Sequence, residues 1–133
     1  MTTHASGTFD VTITPQAQDA AEGSAIGRLS IDKQFHGDLE AGSKGQMLAA
    51  GTAIEGSAGY VAIEQATGTL HGRSGSFVLQ HSGTMARGDG QLVITVVPDS
   101  GTGELAGLAG TMTITIVDGT HLYGFDYTLA EGA

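Results

Sequence analysis

The sequence predicts an all-β fold, an eight-stranded antiparallel barrel, and three observations lead to that prediction. Residues 68–118 repeat one pattern, in which a run of alternating polar and apolar residues is followed by a glycine-rich break and a further run. Alternation of this kind is typical of strands that bury one face, and such breaks are typical of tight turns. Almost no segment shows a helical period, and about eight strands are enough to close a small barrel.

Each predicted strand is bounded by glycine, proline or small polar residues. In chain order the eight strands cover residues 7–13, 26–35, 44–55, 60–70, 76–87, 92–96, 111–116 and 121–128. The first ends at Pro15, which cannot donate a ladder hydrogen bond, and the small polar residues 16–24 after it predict a mobile loop. In the second strand Lys33 shares a face with Ile31 and Phe35, an unusual position for a cation.

The middle strands carry the polar residues of greatest interest. In the third, residues 47–50 would also suit the start of a short helix, but the flanking glycines favour a strand. The fourth places Tyr60 and Glu64 on one face, opposite Val61 and Ile63. One face of the fifth strand is formed by Phe77, Leu79, His81, Gly83 and Met85.

The last three strands alternate most regularly. The glycine-punctuated residues 100–110 after the sixth strand predict a helical turn or a plug that contains Leu105 and Leu108. The pair Asp118-Gly119, between the seventh and eighth strands, is a favoured hairpin turn. One face of the eighth strand carries His121, Tyr123, Phe125 and Tyr127.

Composition narrows the classes of partner and chemistry. A chain of 133 residues predicts one domain, 1–133. Its net charge of -9 repels phosphate backbones and anionic lipids, so neither a nucleic acid nor a membrane is the expected partner. No cysteine is present, which excludes disulfides and thiolate chemistry. The beginning of the chain has no secretory signal, and no apolar run is long enough to span a membrane, so we expect a cytoplasmic protein.

Three long segments of the chain carry a family resemblance. The segments DKQFHGDLEAGSKGQML (32–48), GSAGYVAIEQATGTLHGRSGSFVLQHSGTM (56–85) and VVPDSGTGELAGLAGTM (96–112) resemble the bacterial DUF3224 family. That family is similar in fold to the calycin-like barrel of the allene oxide cyclase type, which is also related to plant dirigent proteins. The resemblance implies that this chain forms the same kind of barrel and assembles as a homo-oligomer. The relatives in that fold confine hydrophobic reactive intermediates, and no cofactor is expected.

Glu64, His81 and Tyr60 are the predicted catalytic residues. If Phe77 and Leu79 face inward, His81 does too, and its imidazole can act as an acid or base near neutral pH. Glu64 on a neighbouring strand would be desolvated, which is expected to raise its proton affinity. The alternative is a core histidine bonded to a backbone or serine group, with Glu64 facing solvent. A single bulge at one of the glycines of the fifth strand would reverse the faces.

A second group of residues is predicted to bind the ligand, and its members are Lys33, Phe77, Tyr123, Phe125 and Tyr127. Lys33 would grip an anionic ligand at the barrel mouth, unless a bulge or snorkelling carries its ammonium to water. The aromatic residues would line the pocket, form an intersubunit patch or simply pack the core. The alternating His36, Asp38 and Glu40 would suit a divalent metal, but a solvated loop explains them more simply, and we predict no metal site.

The expected function is binding of a hydrophobic or amphipathic small molecule inside the barrel. Any chemistry would be a cofactor-independent rearrangement of the isomerase or cyclase type. The alternative is a non-catalytic carrier or sensor, or a structural oligomer whose barrel is filled. A lumen with converging polar groups favours the first function, whereas an interior packed shut by Phe77, Leu79, Met112 and Ile114 favours the second.

Overall fold

Eight strands pair in chain order, each with the next, and the eighth pairs with the first to close an antiparallel barrel. The computed structural model describes residues 2–15 and 26–129, so the loop predicted over 16–24 lies outside the described residues. The predicted eight-stranded barrel is confirmed. Its strands are β1 (Thr3–Pro15), β2 (Ile26–Gly37), β3 (Leu39–Gly51), β4 (Ala58–Leu70), β5 (Arg73–Ala86), β6 (Asp89–Val96), β7 (Ala109–Val117) and β8 (Thr120–Thr128).

The turn between β2 and β3 is tighter than the sequence pattern indicates. Only Asp38 separates the two strands, and Gly37 has a φ of +111°, a conformation that side chains rarely adopt. Strand β3 therefore begins at Leu39 and ends at Gly51. The prediction of a strand over 44–55 is wrong at both ends, and the alternative of a short helix is excluded.

The two halves of the barrel differ in how they are filled. In one half a continuous core closes the interior, and we call this the packed half. After β6 a single 3₁₀ turn, Gly103–Leu105, buries Leu105 and Leu108 in that core, so the glycine-rich segment forms both a helical turn and a plug. Large side chains of the packed half include Phe9, Phe35, Leu39, Leu70, Phe77, Leu79, Tyr123, Phe125 and Tyr127.

The opposite end of the barrel holds the connections β3–β4, β5–β6 and β7–β8, and we call it the mouth. The last of these connections is the predicted turn, since Asp118 and Gly119 have φ values of +49° and +80° and join β7 directly to β8. Within the described part of the chain, no helix is long and apolar enough to cross a membrane.

The faces of β4 and β5 are set by an unbroken register. Pairing runs without interruption from Ala58 opposite Met85 to Leu70 opposite Arg73. No bulge therefore reverses the alternation in these strands. Every second residue of β4 from Tyr60 to Ala66 points into the barrel.

Candidate functional site

Four polar side chains meet inside the barrel between the mouth and the packed half. Lys33 of β2, Ser43 of β3, Glu64 of β4 and His81 of β5 are all buried. Glu64 is 0% exposed and His81 is 3% exposed. Because the four neighbouring strands are in continuous register, each contributes one inward side chain to the same region. We call these residues the polar cluster.

Glu64 is the centre of the polar cluster and accepts three hydrogen bonds. Lys33 Nζ donates to Oε1 at 2.8 Å, His81 Nε2 donates to the same oxygen at 2.5 Å, and Ser43 Oγ donates to Oε2 at 2.6 Å. The ammonium of Lys33 also lies 5.0 Å from the centre of the Phe9 ring. The alternative in which this ammonium reaches water is wrong, because the side chain ends against a buried carboxylate.

These donors determine the charge of Glu64. Burial by itself raises the pKa of the carboxyl group, but the hydrogen bond from His81, the charge and hydrogen bond of Lys33, and the hydrogen bond from Ser43 together lower it from 4.5 to about 2. The expectation of a raised proton affinity is therefore wrong, since it included desolvation and not the donors. Glu64 is a carboxylate, which accepts hydrogen bonds and donates none.

Tyr60 connects the polar cluster to the mouth. Its Oη lies 3.4 Å from His81 Nδ1. In the neutral ring, whose Nε2 carries the hydrogen that Glu64 accepts, Nδ1 is the acceptor for the Tyr60 hydroxyl. Burial, with a smaller contribution from the negative charge of Glu64, raises the pKa of Tyr60. The phenol is therefore protonated at neutral pH.

The mouth contains an open cavity of about 430 Å³. Residues of β3 to β6 line it, and they are mainly methionine, alanine, glycine and leucine. Among the described residues of the lining, Tyr60 is the only one with an ionisable side chain. We call this space the mouth cavity, and Met47, Ala49, Tyr60, Met85 and Leu92 are among its lining residues.

Two glycines make room for the site. Gly45 lies opposite Glu64, and Gly83 lies opposite Tyr60. A Cβ atom at Gly45 would lie 2.6 Å from the Cβ of Glu64, and one at Gly83 would lie 2.5 Å from Cε1 of Tyr60. Gly45 and Ser43 were not predicted as site residues. The feature that could have indicated them is that both are very small residues on the inner face of one strand.

Gly45→Ala is expected to destabilise the fold by about 1–3 kcal/mol, because the added methyl group must displace β4 or Glu64. Gly42→Ala is the matched control in the same strand, where the nearest atom to a new Cβ is 3.6 Å away. We expect that control to change stability by no more than about 1 kcal/mol, and in the stabilising direction. Urea unfolding measures both, and equal losses would contradict the tight fit of Glu64 against Gly45.

Comparison with known proteins gives the family. The sequence model described as "Protein of unknown function (DUF3224)" matches residues 5–127. The chain belongs to the DUF3224 family. A crystal structure of a DUF3224 protein with unknown function from Shewanella oneidensis MR-1 is similar over 98% of this chain and 99% of that chain, with 52% identity and a TM-score of 0.92. A comparison with curated proteins found no match.

In the present member of the DUF3224 family, the aromatic residues predicted to bind a ligand lie in the packed half and do not line the mouth cavity. Phe77 and Phe125 stack on each other with ring centres 5.8 Å apart. The Tyr123 hydroxyl bonds backbone groups around the turn between β2 and β3, and the Tyr127 hydroxyl bonds His71 Nδ1 at 2.5 Å. Their contacts are those of core packing with satisfied hydroxyl groups.

The residues considered as metal ligands lie around the turn between β2 and β3. His36 Nδ1 is 3.7 Å from Glu40 Oε2, whereas Asp38 Oδ2 accepts a hydrogen bond from the backbone N–H of Ser6. In the parts of the chain that the structure describes, no group of three or more histidine and acidic side chains is placed to hold a metal ion.

Proposed function

We propose that this protein binds a hydrophobic or amphipathic small molecule in the mouth cavity and that Tyr60, His81 and Glu64 exchange a proton with it without a cofactor. One observation carries the proposal. The only ionisable residue found in the described lining of an apolar cavity is hydrogen-bonded, through an imidazole, to a buried carboxylate. Apolar lining with a few placed polar groups is the usual composition of a small-molecule site.

The chain of hydrogen bonds supports reversible proton transfer between the ligand and His81 through Tyr60. A proton that leaves the ligand for Tyr60 Oη releases the hydroxyl proton of Tyr60 to His81 Nδ1. The imidazolium that forms keeps its Nε2–H bond to the Glu64 carboxylate, which stabilises the new charge. Return of a proton to another ligand atom completes an isomerisation with no net proton change. The predicted likeness to the allene oxide cyclase barrel supports this class of rearrangement by analogy alone.

A non-catalytic carrier or sensor is the second candidate. The observation in its favour is that Glu64 already accepts three hydrogen bonds, so the polar cluster has a structural role without any reaction. A wholly filled barrel has less support, because the core closes the packed half and leaves the mouth cavity open. The homo-oligomer and the cytoplasmic location expected from the sequence stay predictions.

Blocking the mouth cavity is the test of binding. We expect the neutral fluorescent probe N-phenyl-1-naphthylamine to bind the wild-type protein, and Ala49→Phe to weaken that binding by roughly tenfold or more, because the new ring displaces the apolar contact surface of the probe. Leu48→Phe is the matched control, since Leu48 is 50% exposed on the outer face. The absence of binding to the wild type, or equal binding to wild type and Ala49→Phe, would contradict the proposal.

A further inference from the structure

We infer that the ligand of the mouth cavity donates a hydrogen bond to Tyr60 Oη, so that the site selects apolar alcohols and phenols over the corresponding ethers. This inference rests on the proposed function, since it assumes that a small molecule occupies the mouth cavity. It adds which partner donates in the hydrogen bond between the ligand and Tyr60, the one ionisable side chain among the described residues of the cavity lining.

The hydrogen bonds at Glu64 have a fixed direction. A carboxylate has no hydrogen to donate, so Lys33, Ser43 and His81 must each donate to it. The imidazole contributes through Nε2, at 2.5 Å from Oε1. Nε2 therefore carries a hydrogen in every arrangement that satisfies the cluster.

The ion pair between Lys33 and Glu64 bears on the charge of the His81 imidazole. The carboxylate of Glu64 is already paired with the ammonium of Lys33 at 2.8 Å, and the two side chains are 0% and 6% exposed. An imidazolium at His81 would add a second positive charge to a buried region that holds one negative charge. The arrangement that leaves no uncompensated buried charge therefore has a neutral imidazole, whose Nδ1 has a lone pair and no hydrogen.

The direction of these hydrogen bonds determines what Tyr60 offers to the cavity. The hydroxyl group of Tyr60 has one hydrogen, which is directed to His81 Nδ1 at 3.4 Å. Only the lone pairs of Oη then remain for a bound molecule. A hydroxyl group can donate to them, whereas an ether oxygen would bring its lone pairs against those of Tyr60. A buried acceptor that is left without a donor costs affinity.

The test compares 2-naphthol with 2-methoxynaphthalene, two fluorescent probes that share the ring system and differ in the donor. We expect the wild-type protein to bind 2-naphthol about three- to tenfold more tightly, the usual range for one hydrogen bond. Tyr60→Phe should remove this preference and keep affinity for 2-methoxynaphthalene. Tyr127→Phe is the matched control in the packed half and should keep the preference, while thermal unfolding verifies that both variants are folded.

The outcomes separate this inference from the proposed function. Equal binding of the two probes to the wild type, or tighter binding of the ether, would overturn the inference and leave ligand binding intact. A preference that survives in Tyr60→Phe would also overturn it, because the donor would then contact another group. If neither probe binds the wild type, the proposed function fails and the inference fails with it.

Discussion

Lys33→Met is expected to destabilise the barrel by about 3–5 kcal/mol, the range found when one partner of a buried ion pair is removed. The carboxylate of Glu64 is 0% exposed and would lose the ammonium that now lies 2.8 Å away. Methionine keeps most of the length of the lysine stem, so the loss reports the charge more than the packing. Urea unfolding at pH 7 and at fixed protein concentration measures the change.

Two further variants show whether the charge is the cause. Lys44→Met removes an exposed lysine from the outer face of β3 and should change stability by no more than about 0.5 kcal/mol. The double variant Lys33→Met/Glu64→Gln removes both charges and should recover at least about half of the loss. A double variant that is no more stable than Lys33→Met would contradict the ion pair as the source of the effect.

Acidification from about pH 5 to pH 2 is expected to remove roughly 3 kcal/mol of stability through Glu64 alone. The folded pKa of Glu64 is about 2 and its ordinary value is 4.5, so the unfolded chain takes up a proton first as the pH falls. The stabilising contribution is therefore present above pH 4.5 and is lost progressively as the pH falls from 4.5 to about 2. Urea unfolding across this range, interpreted by linkage, measures the loss.

Glu64→Gln should abolish that part of the pH dependence and be less stable than the wild type at pH 7. Glu55→Gln is the matched control, because Glu55 lies exposed in the connection between β3 and β4. It should keep the wild-type slope of stability against pH. A wild-type slope in Glu64→Gln would show that other carboxylates cause the acid sensitivity.

The sequence could predict the barrel because alternation was clear in most strands. It could not place the start of β3, because the inward positions of residues 39–45 hold Leu39, Ala41, Ser43 and Gly45, of which only the first is a large apolar residue. At Gly45 the absence of a side chain leaves room for Glu64. The single residue between β2 and β3 depends on the conformation of Gly37, which composition alone does not specify.

The candidate site was predictable in part. The alternation of β5 groups His81 with Phe77 and Leu79, and all three are buried. In β4 hydrophobicity alone would choose the wrong face, since Val61 and Ile63 are 52% and 49% exposed while Glu64 is inside. The lowered pKa of Glu64 could not be predicted, because its donors lie on three strands and the sequence does not give the register that brings them together.

The crystal structure of the complex with 2-naphthol is the measurement that tests the central claim most directly. We predict that the naphthol ring lies in the mouth cavity against Met47 and Leu92, with its oxygen within hydrogen-bonding distance of Tyr60 Oη. Tyr60 Oη should remain within reach of His81 Nδ1 in that complex. A naphthol bound on the outer face, or one in the mouth cavity with its oxygen turned away from Tyr60, would contradict the account.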